Sequence, residues 1–395
     1  PLPAPLRRIA NSVRPALKAS RRAPARTFTY VTEWARVRGF LTPATMLPRR
    51  PAPVSPKPLA HIASLGVANA GDTVLPVVLR DLFDQRIGGH RWQLKHAHDA
   101  VDGRTIDWIN RSRGLIIGGG GLFLSDTNKN PVSGWQWPAS AEAIRAIEVP
   151  TAVFAVGYNR FRGQAEFDPV FTESLTALVE KSAFVGLRNH GSISAIKGYL
   201  PAELRPKVVY QPCMTTLIGE IYPERTGPLG SGVIALNCAF DRAALRLGEN
   251  GDAVLESIGR AVGRLAKTHE IRYYSHLGGD LRFLPVLDRL GVPYRLVNLS
   301  GVTPGEVLEA YAVPDLVIGM RGHAQMIPFG MGVPILSLVT HDKMRWFLED
   351  IEHPEWAIEV PGQDLEEEIV SKAGEIMADP DAVREQVVSA RSRLL

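Results

Sequence analysis

Along most of the chain, short apolar runs alternate with stretches whose apolar residues recur every three or four positions. The first pattern predicts buried strands and the second amphipathic helices. Strands are expected at Leu59–Leu65, Arg91–His96, Gly114–Ile117, Pro150–Val156, Phe184–Leu187 and Lys207–Tyr210. Helices are expected between them at Thr73–Phe83, Gly103–Arg111, Ala139–Ile147, Pro169–Lys181 and Ser192–Leu200. Apolar strands joined by helical crossovers indicate a parallel sheet covered on both faces. A Pro- and Gly-rich stretch, Gln211 to Ser231, reads as an interdomain linker.

The pattern then restarts. Strands at Gly232–Leu236, Ile271–Ser275, Tyr294–Val297, Leu316–Ile318 and Pro334–Leu338 alternate with helices at Val254–Ala266, Leu281–Leu290, Pro304–Tyr311 and Lys343–Glu349. Leu365 to Leu395 reads as helix with a break at Pro380, a candidate to cross back toward the first half. The order predicts an α/β chain of two Rossmann-like domains facing a cleft. A basic Pro-rich arm spans 1–57, an N-terminal domain 58–225, and a C-terminal domain with terminal helices 226–395.

Composition refines this picture. The 395 residues are 45% hydrophobic, ample for two cores. No apolar run approaches the roughly 20 residues of a membrane helix. The net charge of +4 hides an asymmetry. Residues 1–57 hold twelve Lys or Arg and one acid, Glu33, so the remainder is −7. The body is therefore not a nucleic-acid binder by charge. The arm lacks the continuous apolar segment of a secretory signal. Within it, Phe28 to Leu41 is a candidate amphipathic helix with Tyr30, Trp34, Val37 and Leu41 on one side. It would suit peripheral contact with an anionic membrane, or packing on its own body. The expected setting is cytoplasmic, with that contact at the inner face of the membrane. Cys213 and Cys238 give no disulfide framework and read as buried thiols of a reducing compartment. The sequence assigns no oligomeric state.

Several strand ends carry candidate chemistry. Arg321-Gly322-His323 follows the apolar run Val313 to Met320 and precedes a short helix. Open α/β sheets bind ligands at that edge, and helix N-termini attract anions. Arg grips carboxylate or phosphate with two prongs, and His moves protons near neutral pH. Asn69-Ala70-Gly71-Asp72 opens a helix after the first strand; Asn69 is a candidate ligand contact, and Asp72 is expected to cap the helix. Gly118, Gly119, Gly120 and Gly121 follow a strand and would let backbone approach a ligand. Neither the dinucleotide fingerprint nor the P-loop is present. Asp126, just beyond, is a candidate base or a solvated loop carboxylate. Arg188 stands at another strand end, and Lys343 begins the helix after the last strand; either is a candidate anion contact or an exposed cation. Phe154 to Asn159 ends a strand in a polar loop, a candidate sugar-binding lip. His96-Ala97-His98-Asp99 lacks a third ligand in register, so no metal is expected. No Gly-x-Ser-x-Gly nucleophile elbow occurs.

Together these stretches resemble the polysaccharide pyruvyl transferase family. The matching pieces are Asn69-x-Gly71-Asp72, the four-glycine run, Gly186-Leu187-Arg188-Asn189 followed by Ser192, Arg321-Gly322-His323-Ala324, Gly332-Val333-Pro334 and Lys343. They run in family order from 59 to about 350 and leave the arm outside. Many members have a larger residue, often Leu, in place of Gly322, and Asp in place of Asn189. The resemblance implies a fold similar to GT-B glycosyltransferases. It also implies transfer of pyruvate from phosphoenolpyruvate to two hydroxyls of a sugar, giving a cyclic ketal and phosphate. The acceptor would be a cell-surface glycan or a lipid-linked sugar, and phosphoenolpyruvate is the donor substrate with no further cofactor. On this view Arg188, Arg321 and Lys343 hold the donor's anionic groups, His323 is the candidate general acid and Asp126 the candidate base. Exchange of the acid and base roles stays open. The rival readings are a nucleotide-sugar-dependent glycosyltransferase of GT-B type and a non-catalytic glycan- or lipid-binding protein.

Overall fold

Residues 55–66, 68–227 and 229–395 are described by the computed structural model. Residues 1–54, and with them the candidate helix Phe28 to Leu41, lie outside the described residues. Two parallel sheets organise the rest. The first contains β1 (Leu59–Ala63), β2 (Trp92–His96), β3 (Gly114–Phe123), β4 (Thr151–Tyr158), β5 (Phe184–Leu187) and β6 (Val208–Tyr210), in the order β2-β1-β3-β4-β5-β6. The second contains β7 (Val233–Asn237), β8 (Glu270–Ser275), β9 (Arg295–Asn298), β10 (Leu316–Gly319), β11 (Ile335–Val339) and β12 (Ala357–Glu359), in the order β12-β11-β10-β7-β8-β9. Each sheet reverses its direction of growth once, between β1 and β3 and between β7 and β10. Crevices at the carboxyl ends of the strands open at such switch points. The central strands are apolar throughout because helices cover both faces: β1, β7, β10 and β11 are buried along their whole length. Each sheet carries its own core, one around Ile117, Trp135 and Phe171, the other around Ile258, Tyr273 and Leu336.

Four expectations need correction. The glycine run is not a loop after β3 but part of it. Gly118 (φ 149°) and Gly120 (φ 94°) adopt backbone that L side chains rarely take. A β-carbon on Gly119 would lie 2.7 Å from the Leu75 side chain, so the run lets β3 press against its neighbours. Of the four glycines only Gly121 is not fully buried. Second, Asp72 does not cap its helix. The helix starts earlier, at Ala70, because Asn69 is extended and its Oδ1 accepts from the Gly71 N–H at 3.0 Å. Third, the linker is folded and largely buried. It forms a 3₁₀ turn at Met214–Leu217, a helical turn at Ile218–Ile221 and a second 3₁₀ turn at Pro223–Arg225. Its apolar side chains pack inward, which a Pro and Gly count hides. Fourth, β12 was not expected; three residues are too few to show a period.

The final helix, Pro380–Ser392, returns to this crossing segment. Arg391 donates to the Gly330 carbonyl at 3.1 Å and pairs with Glu220 at 3.1 Å.

Candidate active site

The carboxyl ends of the two sheets meet at the helix that begins at Ala70. Strand β10 delivers Met320, Arg321 and Gly322, and His323 opens the helix His323–Gly330. The imidazole lies against the backbone of Gly71: a β-carbon there would stand 2.7 Å from His323 Cγ. On the other side, His323 Nε2 is 4.0 Å from Cys213 Sγ. Burial, then Arg188, then Lys343, push the imidazole down to about 3, so it is neutral at pH 7.

Two cations stand beside it. Arg188 leaves β5 and is only 6% exposed. Its Nε and Nη2 have no hydrogen-bond partner among the described residues. It fits because position 157 is glycine; a β-carbon there would come within 2.6 Å of Nη2. Burial lowers the proton affinity of Arg188, while Cys213 and Asp72 oppose the shift. Lys343 donates from Nζ to Asn159 Oδ1 at 2.6 Å, across the cleft. Burial, then Arg188 and Arg246, push this ammonium well below its usual range. Asn69 donates from Nδ2 to Asp72 at 3.1 Å. Burial raises the Asp72 carboxyl against the opposing pull of Ser64, Asn69, Arg321 and Lys343. The locus thus holds a buried guanidinium with unused donors, a lysine that resists its charge and a neutral imidazole. Asp72 is the carboxyl that acts on Arg188 here, and it makes no hydrogen bond to the unused guanidinium donors, which suit an anionic ligand.

Arg321 and Asp126, the other expected charges, are already engaged. Arg321 grips Asp280 through Nε and Nη2, at 2.9 and 2.5 Å, and Asp241 through Nη1 at 2.8 Å. It borders the locus as a braced group. Asp126 is chelated by Arg242, whose Nε donates at 2.6 Å, and also accepts from Gln164 at 2.8 Å. The Arg242 hydrogen bond is the main reason its carboxyl lies below the usual range. Asp126 comes from the first half and Arg242 from the second, so this pair also ties the halves together. The Phe161 ring links it to the locus, with Arg242 and Arg246 each 4.9 Å away and Lys343 at 5.9 Å.

The structure therefore brings His323, Arg188, Lys343 and Asn69 to one place, with Arg321 beside them and Asp126 across Phe161. Sequence reasoning missed Arg242, the place of Cys213 beside His323 and the Lys343–Asn159 contact. One signal was available for Arg242: Asp241-Arg242 follows a strand end of the second half, as Asp126 does in the first. His96 and His98 have local partners. The His98 N–H donates to His96 Nδ1 at 2.9 Å, and His98 Nε2 lies 2.9 Å from Gln136 Oε1. Among the described residues no cluster of three His, Cys, Asp or Glu side chains could hold a metal ion.

The family model for polysaccharide pyruvyl transferase matches residues 69–342, from the cap of the Ala70 helix to the start of the Lys343 helix. The chain belongs to the polysaccharide pyruvyl transferase family. The chain resembles, among solved structures, the S. aureus MnaA–UDP co-structure, at 12% identity over 85% of this chain and 91% of the other, with a TM-score of 0.54. A candidate UDP-N-acetylglucosamine 2-epimerase from Listeria monocytogenes follows at 12% identity, 84% and 91% coverage and a TM-score of 0.53. These likenesses concern fold: the two parallel sheets form a GT-B arrangement. Comparison with curated protein sequences gives no significant match. Among the described residues no helix is long and apolar enough to cross a membrane.

Proposed function

We propose that this protein moves pyruvate from phosphoenolpyruvate to two hydroxyls of a sugar in a surface glycan or lipid-linked precursor. The product is a cyclic ketal, and phosphate is released. The observation that carries the reading is Arg188, a buried guanidinium with unpaired Nε and Nη2 beside Lys343 and His323. A ligand with both a carboxylate and a phosphate would answer each of these groups.

Binding of that anion raises the proton affinity of His323 and Lys343. The imidazolium then gives a proton to C3 of the enol, and positive charge develops at C2. One sugar hydroxyl oxygen bonds to C2 and passes its proton to Asp126. The C2–O bond to phosphate breaks, and its electron pair leaves with the phosphate. The second hydroxyl bonds to C2, passes its proton to the departing phosphate and closes the ketal. Asp126 can act as base only when Arg242 releases it, so we assign that release to the arriving acceptor. Asn69 and the half-exposed Gly121 line the path, and Arg321 braces the strand end that carries His323. The donor is a substrate, and the scheme uses no further cofactor. Partners of this reading are the donor and the acceptor sugar. A role for the basic segment 1–57 in contact with the inner face of the membrane belongs to the same proposal.

Phosphate release from phosphoenolpyruvate with a panel of surface glycans and lipid-linked sugars tests it, followed by mass spectrometry for a gain of one pyruvate less one water. Acceptor-dependent phosphate with that gain, lost in His323→Gln, is expected. Consumption of a nucleotide sugar instead would replace this reading with glycosyl transfer on the same fold.

A further inference from the structure

His323 has two ring nitrogens, and a proton donor needs one of them fixed so that the other can react. Metal-free imidazoles are usually oriented by a carboxylate or a carbonyl oxygen. Among the described residues His323 has neither. Its Nε2 faces Cys213 Sγ at 4.0 Å, and its Nδ1 edge lies over Gly71 at the amide end of the Ala70 helix. That helix end is where an anion would dock.

We infer that Cys213 is a positioning residue: its sulfur accepts the Nε2–H of His323 and so leaves Nδ1 as the nitrogen that meets the donor. The inference rests on the proposed donor reaction for its purpose, but not for its geometry. Sγ also lies 3.2 Å from Thr215 Oγ1, and either atom can donate there; with the thiol proton directed to Thr215, a sulfur lone pair remains for Nε2–H. The sulfur is rigidly mounted. Thr216 donates to the Cys213 carbonyl through Oγ1 at 2.6 Å and through its backbone N–H at 2.9 Å. The Thr215 carbonyl presses on Gly330, at the far end of the His323 helix, where a β-carbon would come within 2.9 Å of Thr216 C. The crossing segment and that helix are thus wedged together, with Cys213 and His323 in register.

A thiol suits this position better than a carboxylate. Burial keeps Cys213 protonated, against the opposing effects of Thr215 and Arg188, so it adds no negative charge. A carboxylate there would hold the imidazole permanently charged. With sulfur as acceptor the ring is neutral in the empty site and takes its second proton, on Nδ1, only when the donor anion arrives. Transfer from Nδ1 to C3 then restores the starting tautomer without rotation of the ring.

The test uses the full chain with ¹⁵N-labelled histidine, and His323→Gln identifies the His323 signals. At pH 7 the Nε2–H tautomer is expected in the wild type and in Cys213→Ser, which keeps an acceptor. Cys213→Ala should shift the ring toward a mixture of tautomers. Its kcat with phosphoenolpyruvate should fall roughly tenfold at unchanged KM, the scale of losing one hydrogen bond of about 1.4 kcal/mol. Serine should recover most of that loss. An Nδ1–H tautomer in the wild type, or an unchanged ratio in Cys213→Ala, overturns the inference. If the tautomers behave as expected and phosphoenolpyruvate is not consumed, the hold of Cys213 on the ring stands and the donor assignment falls.

Discussion

The ring of His323 rests directly on the backbone of Gly71, so that a β-carbon at position 71 would lie 2.7 Å from its Cγ and 2.9 Å from its Cβ. These residues come from different halves of the chain, and their contact seats the imidazole at the amide end of a helix. Gly71 has an ordinary helical backbone, so alanine alone would favour the helix by about 1 kcal/mol. Gly71→Ala should therefore leave the chain folded but displace His323. Activity should drop by about a hundredfold, the cost of moving a reacting group by about an ångström. Circular dichroism and turnover on the same sample check both halves of this expectation.

Arg188 is buried with two unpaired donors, which the proposed donor would satisfy. Its unpaired donors carry a desolvation cost of about 1–3 kcal/mol. Arg188→Met should raise the melting temperature of the ligand-free chain and abolish its further rise on addition of phosphoenolpyruvate. A lower melting temperature in the variant would mean that Arg188 has a stabilising partner.

Donor binding should take up protons. His323 is pushed down to about 3 and Lys343 well below its usual range in the empty site, and a bound anion reverses both. Calorimetry at pH 7 in buffers of different ionisation enthalpy should show net uptake, and affinity should weaken as pH rises from 7 to 9. His323→Gln should reduce the uptake. The same shift bears on stability. Between about 3 and the ordinary 6.5, the unfolded chain binds the histidine proton more readily than the folded one. Acidification through that window therefore removes stability from the wild type, and His323→Gln should be less sensitive to it.

Arg242 and Asp126 make a separable test of the base. Arg242→Gln removes the main influence that holds the Asp126 carboxyl down. The acidic limb of the kcat/KM profile should move up toward the ordinary carboxylate range. Stability should change by less than about 1 kcal/mol, since the pair is partly exposed. An unmoved limb would assign the base elsewhere.

Much of this was legible in the chain. The strands β1, β5 and β10 fall close to the expected runs because a strand covered on both faces must be apolar throughout. Arg188, His323 and Lys343 could be picked out because each follows a strand end, where parallel sheets present side chains to a cleft. What could not be read is partnership across distant segments. Nothing local to Arg321 announces that Asp280 and Asp241 enclose it, and nothing local to Cys213 announces His323. The glycine run misled because a sequence of glycines looks like a loop, whereas here the missing β-carbons make room for Leu75 and Asn159 beside a strand.

The two halves are joined across the cleft by polar ties. Asp126 meets Arg242, Asn159 meets Lys343 at 2.6 Å, Arg162 meets Asp342 at 2.5 Å and Glu359 at 3.1 Å, and His190 meets Asp350 at 2.9 Å. The partly exposed ion pairs among them, Asp126 with Arg242 and Arg162 with Asp342 and Glu359, weaken as counterions shorten the range of charge, to about 3 Å at 1 M salt. Ionic strength is thus a dial on the aperture itself. In concentrated salt the scattering profile of the empty protein should broaden toward a more open form, while the core of each half stays intact. A charged donor spanning Arg188 and Lys343 should close it again.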